Sequence, residues 1–214
     1  MIFAERALLP DGWAEQVRIT VAYGHITGVA KAAAPQPGDS RVSALLPALS
    51  NLHSHAFQRA MAGMTEHRIA GRDSFWTWRD LMYRFLDRLT PEQMEAIAAL
   101  VFMEMQEAGY AAVGEFHYVH HQPGGGAYAD IAELSNRIFA AAHLTGIGLT
   151  HLPVLYERGG CDGRALTTGQ LRFGNDPDRF ARLWQGAAAH LRALPEDTVL
   201  GVAPHSLRAA SPIG

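Results

Sequence analysis

The chain has 214 residues, 48% hydrophobic and 18% charged, with a formal net charge of −3. That balance is too apolar for a disordered chain and too polar for a membrane bundle. Lys31 is the only lysine among 18 basic residues, and no basic run occurs, which argues against a phosphate-backbone binder.

Cys161 is the only cysteine, which excludes an internal disulfide and a cysteine-based zinc finger. Glu5 and Arg6 bring charge close to Met1, so the N-terminus does not read as a signal peptide. No apolar stretch reaches the roughly 18 residues of a membrane helix, and a cytoplasmic location is expected. Eleven histidines, several of them clustered, stand out.

In chain order, Gln16 to Tyr23 and His25 to Ala30 predict two short strands around a Gly24 turn. Residues 32–40, with Pro35, Pro37 and Gly38, predict a linker. Ser43 to Ser50 predicts one buried strand leading into Asn51-Leu52-His53-Ser54-His55. Ser74 to Arg88 has helical periodicity, with Asp73 or Ser74 as its cap. Thr90-Pro91-Glu92-Gln93 predicts a helix start, with a capping threonine, a first-position proline and a third-position glutamine. That helix is expected to end at Gly109.

A strand from Ala111 to Val119 follows, then a flexible turn at Gly124 to Gly126 that lacks phosphate-loop spacing. Next come a helix from Asp130 to Thr145, a strand from Ile147 to Tyr156 and a polar loop over 157–175. A helix from Pro177 to Leu194 leads to a last strand, Val199 to Ala203, and to Pro204-His205-Ser206-Leu207-Arg208. Four apolar strands alternating with helices predict a parallel α/β fold with strands buried on both faces.

Polar residues gather where the strands end: His53 and His55, His117 and Tyr118, Tyr156, then His205 and Arg208. A barrel and a doubly wound sheet both place ligands there, so the pattern leaves both open. A whole barrel takes about 250 residues, and only four strands are legible. Ser211-Pro212 looks like the start of another helix, so a truncated chain is expected.

His53 and His55 stand two apart at a strand end, with Cβ atoms about 6.6 Å apart on one face. Imidazoles at that spacing can converge on one metal ion, although a catalytic site needs a third protein ligand. His117, His120 and His121 form a second cluster, but adjacent residues on a strand point to opposite faces, and structural roles are expected. Glu115 is a candidate partner for one of those buried histidines.

The run Leu46-Pro47-Ala48-Leu49-Ser50-Asn51-Leu52-His53-Ser54-His55-Ala56-Phe57-Gln58-Arg59 resembles the first barrel strand of the amidohydrolase superfamily. The longer pattern is narrower. Ala60-Met61-Ala62-Gly63, Asp73-Ser74-Phe75-Trp76-Thr77-Trp78-Arg79, Glu115-Phe116-His117-Tyr118-Val119-His120-His121 and His205-Ser206-Leu207-Arg208 resemble the formimidoylglutamate deiminase family, in order along the chain. The resemblance implies a truncated (β/α)8 barrel, with residues 1–45 as an incomplete small β-sandwich-type unit and 46–214 as the N-terminal half of the barrel.

It also implies a zinc hydrolase of histidine degradation that converts N-formimidoyl-L-glutamate and water to N-formyl-L-glutamate and ammonia. His53 and His55 would bind one zinc ion. Gln58, Arg79, Tyr118, His205 and Arg208 would bind the substrate, the arginines suiting its two carboxylates. The third metal histidine, the metal-binding aspartate and the proton-transfer residues are expected beyond Gly214. The family is typically homodimeric, with no nucleic-acid or membrane partner. Two other readings stay open: another deaminase of the superfamily, such as one acting on a nucleobase, and a non-catalytic metal-binding or assembly module.

Overall fold

The computed structural model describes residues 1–64 and 75–212, with the side chains of 75–77 left aside. The chain divides into two units, Met1–Ala48 and Leu49–Gly214.

The first unit is a four-stranded sheet of β1 (Ile2–Leu9), β2 (Gly12–Ala22), β3 (His25–Ala30) and β4 (Ser40–Leu45). Its order is β3-β2-β1-β4, with β1 antiparallel to β2 and parallel to β4. A small core of Ala4, Ala7, Val17 and Ile19 holds it together. The expected hairpin forms, but β1 is absent from the sequence-based expectation. Phe3 and Ala4 are both buried while Glu5 and Arg6 are both exposed, so the alternation that announces a strand is missing. Asp39 ties the linker to the sheet, accepting from Arg18 Nε at 2.9 Å and from the Gln36 N–H at 2.8 Å. Those two donors, Arg18 first, hold its carboxyl down at about 2.

The second unit contains β5 (Leu49–Ser54), α1 (Phe75–Leu86), α2 (Pro91–Glu107), β6 (Tyr110–His117) and α3 (Glu133–Thr145). It continues with β7 (Gly148–Leu155), α4 (Pro177–Leu191), β8 (Val199–Leu200) and β9 (Ala203–Pro204). All its strand pairs are parallel, and the order β5-β6-β7-β8, with β9 also on β7, follows the sequence. A doubly wound sheet reverses its order at a switch point, whereas a barrel adds each strand beside the last. The fold is therefore a partial (β/α)8 barrel. Residues of α2 and α3, including Met94, Ala98, Phe102, Ile138 and Phe139, share its core with Val113 of β6 and Leu149 of β7.

The expected cap of α2 forms in full: Thr90 Oγ1 accepts from the Gln93 N–H at 3.2 Å, and Gln93 Oε1 accepts from the Thr90 N–H at 3.1 Å. Gly109 follows that helix at φ +90°, where a side chain would be strained. Helix α3 starts three residues later than expected. The Asp130 carboxylate accepts from the Ala132 N–H and the Asn136 side chain, both at 2.8 Å, forming a turn ahead of the helix instead of its first turn. The caps expected at Asp73 or Ser74 lie outside the described residues, as does whatever follows the expected helix start at Ser211-Pro212.

Two strand expectations need correction. Ser43 to Ser50 is not one strand but the end of β4 and the start of β5, interrupted at residues 46–48. Pro47 has no N–H for a ladder and forces the break. Nor is β5 buried: it is the edge strand, with Leu49 57% and Leu52 83% exposed. The strand expected from Val199 to Ala203 splits into β8 and β9. The Gly201 carbonyl between them accepts from Trp184 Nε1 of α4 at 3.0 Å. The split falls beside Pro153 of β7, which also lacks an N–H.

Candidate active site

The C-terminal ends of β5, β6, β7 and β9 border a cavity of about 370 Å³. His53, His55, Gln58, Arg79, Tyr118, His205 and Arg208 all line it. They arrive from four separate pieces of chain. The histidine pair closes β5 and turns into the short 3-10 segment Ala56–Met61 that carries Gln58. Arg79 comes from α1, Tyr118 from just past β6, and His205 and Arg208 from just past β9. Strand β5 lies close against β6 because residue 114 is glycine: a Cβ there would meet the Leu52 carbonyl oxygen at 3.0 Å.

The wall between these groups is aromatic. Phe116 stacks on His53 with ring centroids 5.2 Å apart, and Tyr156 meets His205 edge-on at 4.7 Å. Phe173 closes the far side against Tyr118 at 5.0 Å. Within this wall Gln58 Nε2 donates to the Tyr118 hydroxyl at 2.9 Å. Burial pushes the Tyr118 phenol above its ordinary value, so it stays protonated as a donor. Burial, then the Arg208 charge, pushes His205 down to about 4. The Arg79 guanidinium lies 5.5 Å from the Tyr83 ring centroid, in cation–π range.

His53 Nε2 and His55 Nε2 are 3.1 Å apart. Two ligands at about 2.0–2.1 Å from one ion span no more than ~4 Å, so the separation suits a shared metal. His55 Nδ1 sits 3.0 Å from the Phe116 carbonyl oxygen. A carbonyl can only accept, so Nδ1 carries the proton and Nε2 turns its lone pair toward the cavity. A histidine oriented in this way by an outer acceptor is the usual arrangement of a metal ligand. Burial lowers the pKa of His55, which favours the neutral, ligating ring. Among the described residues no group of three His, Cys, Asp or Glu side chains could hold a metal, so the pair stands as two candidate ligands.

The other histidine cluster lies apart from the cavity. His120 Nε2 is 3.0 Å from the Val154 carbonyl, and His121 Nε2 is 2.9 Å from Asn175 Oδ1. His117 packs its ring 4.9 Å from that of His151, whose Nε2 is 3.0 Å from Ser135 Oγ. All four are buried. Glu115 does not serve a histidine as expected. Its Oε1 accepts from the Ala56 N–H at 2.7 Å. Burial raises its carboxyl to about 7.

Sequence reasoning missed what holds this site together. The loop over 157–175 is built into the core at 159–160 and 170–175, with 161–165 exposed between them. Arg172, fully buried, donates to the carbonyls of His121 at 2.7 Å and of Leu89 at 3.0 Å, and also to that of Leu86. It thereby joins the end of α1 to the turn after Tyr118. Arg158 donates to the Leu207 carbonyl at 2.8 Å, and Glu157 accepts from the Ser211 N–H at 2.6 Å. These two contacts bracket the segment bearing Arg208. A buried arginine serving three carbonyls and the Tyr128 hydroxyl has no sequence signature, whereas Tyr156 and Glu157 at a strand end are at least in a suggestive place.

A sequential parallel sheet with polar side chains gathered beyond its strand ends defines the active-site wall of a barrel enzyme. The chain belongs to the amidohydrolase family, whose profile matches residues 44–213. Residues 1–43 match the N-terminal domain of formimidoylglutamate deiminase HutF. Over 212 residues the chain is 51% identical to the formimidoylglutamate deiminase of Pseudomonas aeruginosa, covering 99% of this chain and 46% of that protein. It superposes on the crystal structure of an amidohydrolase from Brucella melitensis with TM-score 0.94 and 51% identity, over 99% of this chain and 47% of the other. The atrazine chlorohydrolase TrzN of Arthrobacter aurescens TC1, solved with zinc, shares the fold at TM-score 0.73 and 19% identity, over 100% of this chain and 48% of its own. The chain thus spans about half the length of the relatives it matches.

Proposed function

We propose that this chain forms the metal-binding pair and the substrate-binding wall of a formimidoylglutamate deiminase. The reaction adds water to the formimidoyl carbon of N-formimidoyl-L-glutamate and breaks its C–N bond to release ammonia, a step of histidine degradation. The observation that carries this reading is one cavity lined by His53, His55, Gln58, Arg79, Tyr118, His205 and Arg208. The P. aeruginosa relative, 51% identical, bears that activity as its name.

In this reading His53 and His55 hold a zinc ion, which when bound lowers the pKa of water and polarises the reacting carbon. Arg79 and Arg208 meet the substrate's two carboxylates, for which a guanidinium fork is the best match. The Tyr118 hydroxyl, oriented by Gln58, donates a hydrogen bond. His205, neutral at physiological pH, adds a polar contact without adding charge. Proton transfer falls to residues outside 1–214, and the complete enzyme is a cytoplasmic homodimer. Residues 1–45 act as the small β unit and 46–214 as half of the barrel.

A hybrid tests the reading. Residues 1–212 would replace their counterpart in the P. aeruginosa protein, and ammonia release would be measured with zinc present. Ammonia from N-formimidoyl-L-glutamate, with none from adenine, guanine or cytosine, is expected. A folded, zinc-loaded hybrid that deaminates a nucleobase, or nothing at all, would overturn it.

A further inference from the structure

We infer that Glu115 is a positioning residue for the His53–His55 pair, acting through the backbone that carries His55. The inference rests on the reading that these two histidines bind a metal ion.

Glu115 lies on β6 directly across the ladder from Ser54 of β5. Its side chain is buried. Oε1 accepts from the Ala56 N–H at 2.7 Å, and Oε2 is buried with no hydrogen-bond partner among the described residues. The carboxyl therefore holds the peptide N–H that directly follows His55. That contact falls where the chain leaves β5 and enters the 3-10 segment Ala56–Met61. His55, the cap of that segment, makes no side-chain capping bond, so the turn takes its fixation from elsewhere.

The next residue of β6 completes the arrangement. The Phe116 carbonyl faces His55 Nδ1 at 3.0 Å and sets the ring's tautomer. Glu115 thus holds the backbone of His55, and Phe116 holds its ring. A buried carboxyl is costly to keep, and burial without a cation beside it leaves it strongly desolvated. An apolar residue at 115 would pack there more simply, which points to a role beyond packing. Outer partners of this kind typically change metal affinity by 10- to 100-fold when removed.

Glu115→Gln keeps an oxygen for the Ala56 N–H, and Glu115→Ala removes it. The 214-residue chain with 15N-labelled histidines would be titrated with zinc alone, and thermal melting would report folding separately. In the wild type, the zinc-free His55 ring should show the Nδ1–H tautomer, and zinc should shift the His53 and His55 ring nitrogens together. Glu115→Gln should match it within about threefold. Glu115→Ala should bind zinc at least tenfold more weakly and show averaged His55 tautomers. Should Glu115→Ala fail to fold, Glu115→Met, which fills the space but offers the Ala56 N–H no oxygen, takes its place with the same tenfold loss expected.

Zinc affinity and a fixed His55 tautomer unchanged in Glu115→Ala, or in Glu115→Met if that variant stands in, would overturn the inference and leave the metal reading intact. A wild type in which zinc leaves both rings unshifted would instead overturn the metal reading. The His55 tautomer in the zinc-free variants then still decides whether Glu115 positions the ring.

Discussion

Two sets of histidines lie on or just beyond the strands of one barrel wall and meet opposite fates. His53, His55 and His205 border the cavity. His120, His121 and His151 are sealed away from it, each with Nε2 on an oxygen and Nδ1 buried without a partner. Strand alternation does the sorting: Phe116 lines the cavity, while the adjacent His117 packs among the second set. On the cavity side a histidine presents a lone pair to something that arrives from outside. On the other side, the proton each ring would gain has nowhere to bond. The difference teaches that histidine count says little about chemistry, and that the address of each ring nitrogen says a great deal.

Acid should expose the contrast most strongly. Burial is the largest cause holding His151 at about 3 and His121 at about 4, and it holds His120 well below its ordinary value. Unfolded histidines bind a proton near pH 6.5, so below that pH the unfolded chain takes up protons that the folded one refuses. Their contribution is complete above about 6.5 and is lost as the pH falls toward 4 and then 3. Each such histidine removes about 1.4 kcal/mol per pH unit within that window. Urea unfolding of the chain at pH 7.5, 6 and 5 should show stability falling steeply, and His151→Gln should flatten the slope. A stability independent of pH between 7.5 and 5 would mean the second set is not buried neutral.

The cavity side can be broken by removing charge. In the hybrid described above, Arg208→Met should cost one charge-assisted contact to a carboxylate. That is worth roughly 1.5–3 kcal/mol, or about 10- to 150-fold in kcat/KM. The loss should appear against the dicarboxylate substrate. Equal kcat/KM for Arg208→Met and the parent hybrid would remove the case for diacid recognition.

How much of this was legible depended on whether the signal was local. The Thr90 capping box, the Gly24 turn and the strand-end histidines are written in neighbouring residues, and the structure shows each of them. Strand β1 was invisible because its burial pattern lacks a period of two, although it is the strand between β2 and β4. The break at Pro47 was written in the sequence, yet the apolar residues on either side masked it. Arg172 and Phe173 could not be found at all: their roles come from contacts with Leu86, Tyr118 and His121, far away along the chain. Glu115 was noticed but given the wrong partner, since the backbone N–H it serves looks the same in every residue.

The smallest expected effect is also the sharpest test of the comparison, because it asks which histidines meet a metal. A ligand that binds only the folded state stabilises it by RT ln(1 + [L]/Kd). Zinc at about ten times its Kd should therefore add ~1.4 kcal/mol. For a chain of this size that raises Tm by roughly 3–6 °C. His53→Ala and His55→Ala should each abolish the rise while leaving the zinc-free Tm nearly unchanged, because both rings lie at an open cavity. His151→Gln should do the reverse, lowering the zinc-free Tm through the lost Ser135 contact and keeping the zinc-dependent rise. A rise that survives in His53→Ala and His55→Ala but vanishes in His151→Gln would place the metal among the buried rings and invert the assignment.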